Sequence, residues 1–328
     1  MKQPGDLNRN GVSACCTLLA FAGLLASGAT AAAEQQKPVW QMTEAEIVEE
    51  VSTARAGRQL LQPAQWPGGA RVAVLFSFDV DNETENLSLG DYSIFGDSFH
   101  EYGARAGLRR IVNILDKHEI PASFFIPVMS NVIAPYQLPI IMKSGRHEIG
   151  VHGWVHGRAD QMPPELHREM IERAVNYWEA QTGKKPAGYR APWADVTSET
   201  FTFVKELGFL YDSSMLADDM PYEIVYKGEA SGLVEVPISL ILEDSPLNVA
   251  TTFVAGIHTP EEMFEIWKSE FDVALEEGTT WVLVAHPHVI GHRSRAAMME
   301  RLIVHMKSTG QAWFATHEAV ARLAAEQL

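Results

Sequence analysis

The stretch Val72-Ala-Val-Leu-Phe-Ser-Phe78, followed at once by Asp79-Val-Asp81, decides how the rest of the chain is read. An amphipathic strand alternates apolar and polar residues, whereas this run is apolar at six of its seven positions, with only Ser77 interrupting it. Such a run is a strand covered on both faces, the kind found in parallel sheets whose crossovers are helices. The two carboxylates then stand just past its carboxyl end.

Reading outward, strand and helix patterns alternate. Residues 104–118 read as a helix, 122–127 as a strand, 135–144 as a helix and 148–151 as a short strand. A long helix covers 164–182, with Leu166, Met170, Ala174, Val175 and Trp178 on one stripe and Gly183 closing it. Strand 188–191, helix 197–207 and strand 209–212 follow, then an irregular stretch. Strand 233–238, helix 260–277, strand 281–286, helix 294–308, strand 312–315 and a last helix from Glu318 complete the series. The predicted fold is therefore α/β, a distorted (β/α) barrel of seven or eight strands.

The flanking segments differ in character. Lys2 and Arg9 precede an uncharged run over 12–28 and an Ala-rich stretch, the pattern of a secretory signal peptide over 1–33 with cleavage after Ala33. A retained anchor is the alternative, at the short limit of a membrane span. The expected location is exported, periplasmic or secreted. Residues 34–70 read as an N-terminal extension laid on the domain or on a neighbouring subunit, with a Thr43-Glu-Ala-Glu46 capping box, and 71–328 as the catalytic domain. Asn82 and Asn86 head glycosylation sequons that matter only in a eukaryotic host.

Composition narrows the chemistry. The two cysteines, Cys15 and Cys16, fall in the leader, so the 295 residues beyond it offer no thiolate; any metal must be held by His, Asp or Glu. The formal charge of −16 becomes −17 without Lys2, Asp6 and Arg9, which argues against nucleic acid or anionic lipid as partner.

In a β/α barrel the reactive groups sit past the carboxyl ends of the strands. Those positions hold Asp79 and Asp81, then His152 and His156, then Arg190-Ala-Pro-Trp193, then Asp212, and finally His286-Pro-His288. His147-Glu148 imitates the H-E-x-x-H start of a zinc protease, but Val151 stands where the second histidine is required. The pair His152/His156 can reach one metal from a helical turn or from a glycine-bent loop. Taken alone it is equally readable as chance spacing among twelve histidines.

The ordered set Asp79-Val-Asp81, His152-Gly-Trp-Val-His156, Arg190-Ala-Pro-Trp193 and Leu283-Val-Ala-His286 resembles the polysaccharide deacetylase family, the NodB-homology or carbohydrate esterase family 4 group, from about Trp66 to Ala315. Trp66-Pro-Gly-Gly-Ala-Arg71, Asp218-Asp-Met-Pro-Tyr222 and His286-Pro-His-Val-Ile-Gly291 are similar to its peptidoglycan deacetylase-like, cyclic imide hydrolase-like and allantoinase-like branch. The resemblance implies a divalent metal on Asp81, His152 and His156, zinc foremost, with Co2+, Fe2+ or Ni2+ as alternatives. It implies Asp79 as general base, His286 as general acid with His288 as competitor, Arg190 holding Asp79, and Trp193 walling the substrate pocket. Asp212 is the nearest match to the family's buttressing aspartate. The implied activity is metal-dependent hydrolysis of a C–N amide bond, foremost N-deacetylation of an amino-sugar glycan. The alternatives are hydrolysis of a cyclic imide or ureide, or a non-catalytic carbohydrate-binding relative. A homo-oligomer is a further implication.

Overall fold

The computed structural model describes residues 37–64, 66–248 and 257–328; the leader expected over 1–33 lies outside them. Ten strands form one curled sheet: β1 (Ala54–Gln59), β2 (Val72–Asp79), β3 (Ser123–Ile126), β4 (Glu148–Val151), β5 (Gly188–Tyr189), β6 (Tyr211–Asp212), β7 (Tyr222–Tyr226), β8 (Glu229–Glu235), β9 (Thr280–Ala285) and β10 (Ala312–Ala315). Their order is β1-β7-β8-β6-β5-β4-β3-β2-β10, with β9 also on β2. All pairings are parallel except β1 with β7 and β7 with β8. Eight parallel strands thus make the expected distorted barrel. The chain leaving β8 comes back to the sheet at a parallel bridge between Glu243 and Val284 of β9.

All eight residues of β2 are buried, as its continuous apolar run requires. The period of two sorts them. Val72, Val74, Phe76 and Phe78 join the core under the helices, which includes Leu108, Trp178, Trp267 and Met299. Ala73 and Leu75 join the barrel interior with Phe125, Tyr211, Val234 and Val284. Ser77 and Asp79 continue that interior set, so the first carboxylate points into the mouth of the barrel.

Several helices follow their end signals. Helix Pro260–Glu277 carries a capping box between Thr259 and Glu262, Pro at its first position, and Gly278 in the left-handed region at φ 83°. Helix Pro164–Thr182 runs as expected to Gly183, but its buried stripe is His167, Ile171, Ala174, Val175 and Trp178. Leu166 lies one position off that stripe and is exposed. The helix expected over 104–118 is longer and broken: Ile94–Tyr102 passes through a π-helical turn, Gly103–Gly107, into Leu108–His118. The irregular stretch after β6 is a β7/β8 hairpin, so β8 starts earlier than expected; Pro237, which has no N–H to give a ladder, follows its end. Short helices Glu83–Ser88 and Val128–Ile133 had no periodic signal. Both sequon asparagines are buried and donate to backbone carbonyls, Asn82 to Ser130 and Asn86 to Asp91, so neither is presented to a glycosylating enzyme. No described helix is long and apolar enough to cross a membrane.

The extension lies on its own domain. Its capping box forms as read, and β1 adds to the sheet edge against β7. Gly57 is required in that strand, because a Cβ there would stand 2.6 Å from the carbonyl oxygen of Glu223. Trp66 is buried, donates its indole N–H to the Gly278 carbonyl at 2.9 Å and stacks on Trp313. Replacing Trp66 by Ala removes that packing and the hydrogen bond, and should cost about 3–5 kcal/mol of unfolding free energy. Urea unfolding of the purified protein checks this; an unchanged midpoint would show that the extension does not clamp the barrel.

Candidate active site and metal centre

The residues expected past the strand ends converge on the mouth of the barrel. Asp81 follows Asp79 by two residues and is held by a tight turn. Its carbonyl oxygen accepts from Thr84 Oγ1 at 2.7 Å and Ser130 Oγ at 2.6 Å. The next residue, Asn82, is left-handed at φ 48°, a conformation costly for a side-chain-bearing residue and typical of functional turns. Past β4 the histidine pair lies on a loop, not a helix: Gly153 has φ 76°, and a Cβ there would meet the Val155 carbonyl oxygen at 2.8 Å. That bend brings the two imidazole rings to 5.1 Å.

Nε2 of His152 lies 3.4 Å from Asp81 Oδ1, and Nε2 of His156 lies 3.7 Å from Oδ2. All three side chains are buried. His152 Nδ1 lies 2.8 Å from the Arg190 carbonyl oxygen; donating to it fixes the tautomer and leaves the Nε2 lone pair facing Asp81. Both Asp81 carboxylate oxygens are buried without a hydrogen-bond donor. Burial drives the Asp81 carboxyl well above the usual range, and Glu85 and Asp79 add to this against His286. Burial pushes His156 down to about 3 and His152 down as well, so both are neutral imidazoles. An orphaned buried carboxylate flanked by two neutral imidazoles suits a divalent cation, and the donor set is a 2-His-1-carboxylate of the kind zinc and its neighbours accept.

Asp79 is held from the other side. Arg190, fully buried at the end of β5, donates from Nη1 to Asp79 Oδ1 at 2.7 Å and to Ser77 Oγ at 3.0 Å. Its Nε and Nη2 reach the Ser213 carbonyl and hydroxyl oxygens at 2.9 and 3.0 Å, and Nη2 also reaches His317 Nε2 at 3.2 Å. The guanidinium lies 4.0 Å over the Phe125 ring. Burial alone would raise the Asp79 carboxyl; Arg190, with His152 and His286, outweighs it and holds it below the usual range. Asp79 is therefore a buried carboxylate, 3.9 Å from His152 Nε2.

His286 has the opposite setting. Its Nε2 lies 3.6 Å from Asp81 Oδ2, while Nδ1 meets Asp244 Oδ1 at 2.7 Å. Oδ2 of Asp244 accepts the backbone N–H groups of His286 and Ile290 at 2.9 and 3.0 Å. Burial opposes the imidazolium, but Asp244, Asp81 and Glu85 raise His286 well above the ordinary value. Trp193, with φ 63°, borders His156 at a ring distance of 4.8 Å and is 37% exposed at the rim.

Two of the residues expected at the strand ends, Asp212 and His288, lie away from the reacting centre. Asp212 is fully buried behind Arg190, with its carboxyl pushed up to about 6 by burial. It accepts from the Ser214 N–H and hydroxyl, and Ser214 Oγ accepts the Ala191 N–H, so Asp212 positions the Arg190–Ala191 segment from beneath. Tyr211, the other residue of β6, joins the barrel interior, so the period of two turns Asp212 to the opposite face. His288 turns from the reacting centre toward Glu85, with Nε2 3.3 Å from Oε2, two residues after His286 having reversed its direction. Sequence reading missed Asp244, Ser77, Ser213 and His317. His317 follows the carboxyl end of β10 and could have been found by the rule that found the others; Asp244 follows an irregular segment and carries no such signal.

The family model for polysaccharide deacetylases matches residues 98–211. The chain is 31% identical to the inferred polysaccharide deacetylase of Mycobacterium smegmatis, with 83% of this chain and 96% of that one covered and a TM-score of 0.75. It is 28% identical to the peptidoglycan deacetylase-like protein FGM2 of Gibberella zeae over 77% of this chain and 86% of that protein. It is 26% identical to the Puue allantoinase structure, at a TM-score of 0.71 over 80% and 93% of the two chains. Fold, ordered motifs and relatives agree: the chain belongs to the polysaccharide deacetylase family, hydrolases of carbon–nitrogen bonds.

Proposed function

We propose that this protein is a metal-dependent amidohydrolase that removes the acetyl group from an N-acetylated amino sugar in a glycan. One observation carries the reading: Asp79, paired with the Arg190 guanidinium, and His286, paired with the Asp244 carboxylate, flank the same orphaned Asp81/His152/His156 set. An amide nitrogen is a poor anionic leaving group, so hydrolysis needs a base for the water and an acid for the nitrogen. Environments that push two titratable groups apart provide that pair.

A divalent ion on Asp81, His152 and His156 would supply Lewis-acid polarisation of the amide carbonyl and acidification of a water molecule. Asp79 accepts the proton of the attacking water, and Arg190 keeps its carboxylate ionised and aimed. His286 gives its Nε2 proton to the nitrogen as the C–N bond breaks, and Asp244 holds that imidazole charged and oriented. The water's oxygen and one of its hydrogens leave on the acetic acid, the amine carries the proton from His286, and the proton taken up by Asp79 returns to His286 through solvent to restore the starting protonation. Trp193 offers a half-exposed apolar face at the rim that suits a sugar ring. A leader over 1–33 would place the enzyme outside the cytoplasm, where such glycans lie. The likeness to Puue allantoinase supports a second reading, hydrolysis of a cyclic ureide or imide by the same groups.

Metal-loaded protein should release acetate from N-acetylated chitooligosaccharides or peptidoglycan; turnover of cyclic imides or allantoin with no acetate release would favour the second reading. Asp79→Asn should keep the metal and lose about 10²–10⁴-fold in kcat. Asp81→Asn should lose metal at that site by mass spectrometry, and full activity of either variant in chelator would refute the mechanism. His286 faces Asp244, Asp81 and Glu85, and its raised value keeps it protonated until pH climbs through that value. Asp244→Asn removes the strongest support for the charge. The basic limb of the kcat/KM profile should therefore move to lower pH, and a stationary limb would show that His286 is not the acid.

A further inference from the structure

A second cluster of metal-capable side chains stands beside the first. Glu85 follows Asp81 by four residues, on the short helix Glu83–Ser88. Its Oε2 is buried without a hydrogen-bond donor. Two imidazole nitrogens converge on that oxygen, His288 Nε2 at 3.3 Å and His100 Nε2 at 3.4 Å, and the three ligand atoms lie within 4.8 Å of one another. A charge-assisted N–H···O bond would be about 2.7–2.9 Å long. Ligand atoms around a four-coordinate ion with bonds of roughly 2.0–2.2 Å stand about 3.3–3.6 Å apart. The two separations from Glu85 fit the edges of a coordination sphere and are longer than charge-assisted hydrogen bonds. His152 and Asp81 show the same spacing, 3.4 Å.

The backbone is shaped to bring these groups together. His100 Nδ1 lies 2.9 Å from the Gly96 carbonyl oxygen; donating there turns the Nε2 lone pair toward Glu85. Its helix then enters the π-helical turn Gly103–Gly107, a distortion that concentrates at functional sites. That turn presses on the His286–Gly291 loop through glycines. A Cβ at Gly103 would stand 2.9 Å from the His288 backbone nitrogen, and one at Gly107 would overlap the Pro287 carbonyl oxygen. Packing alone would be met by a regular helix with alanines at a small distance; the closer approach sets the His100 and His288 rings 4.7 Å apart.

We propose that Glu85, His100 and His288 form a second divalent-metal site, neighbouring the Asp81, His152 and His156 set and independent of it. Two imidazoles and one carboxylate select zinc-like ions over Mg2+ or Ca2+, which prefer all-oxygen shells. An ion there would tie the helix Ile94–Tyr102 to the loop that carries His286 and neutralise Glu85, leaving Asp244 at 2.7 Å as the carboxylate that sustains the His286 charge.

The test is metal stoichiometry, not turnover. Chelator-stripped full-length protein is titrated with Co2+, followed by its visible absorption, and bound metal is counted by mass spectrometry after desalting. Wild type should take two equivalents. Glu85→Gln and His288→Gln should each take one, held by Asp81, and Asp81→Asn should also take one, held by Glu85. A single equivalent in wild type that Asp81→Asn abolishes and Glu85→Gln leaves intact would overturn the second site while leaving the catalytic reading standing. Should a variant fail to fold, the wild-type count decides: two equivalents support the site and one refutes it.

Discussion

The ion pair between Arg190 and Asp79 is the interaction on which the site depends. A guanidinium buried this deeply is costly unless its donors are used and its charge is matched. Here the donors reach Asp79, Ser77, Ser213 and His317, which come from the end of β2, the segment after β6 and the start of the last helix. One side chain thus fixes the relative position of four elements at the barrel mouth. Removing either charge leaves the other buried and unpaired, a loss on the order of 3–5 kcal/mol. The same contact keeps Asp79 an anion where burial alone would protonate it.

A second buried carboxylate does the reverse for the acid. Asp244 accepts three hydrogen bonds from the His286–Ile290 turn, two from backbone and one from the ring, so orientation and charge of His286 share a cause. The two pairs are mirror images in charge: a cation sustains a base and an anion sustains an acid. Between them Asp81 has no donor, so a bound cation is what would sustain its charge. Strain gathers at the same rim, with Asn82, Trp193 and Ala194 all at positive φ. Strain of that kind persists only where surrounding contacts over-determine it.

Much of this was legible from local signals. The apolar run of β2 announced a doubly covered strand, and the rule that barrel chemistry sits past strand ends picked out Asp79, Asp81, His152, His156, Arg190 and His286, which the fold brings together. Helix 260–277 was bounded correctly because its cap signals are strong. What failed was non-local. Asp244 belongs to the site only because its segment returns beside β9, and Asp212 is excluded because Tyr211, its neighbour on β6, takes the interior face. His288 turns away because the chain reverses within the His-Pro-His turn. The β1–β7 pairing that anchors the extension joins segments more than a hundred and sixty residues apart, beyond what periodicity can report.

The central claim is that one site holds a deprotonated Asp79 and a protonated His286 at neutral pH. Long-range 1H–15N NMR of the zinc-loaded enzyme with 15N-labelled histidine reads this directly, with His286→Gln assigning the signal. The account predicts that both His286 nitrogens carry protons at pH 7, while His152 and His156 appear as neutral rings with Nε2 metal-bound. A neutral His286 at pH 7 would contradict it.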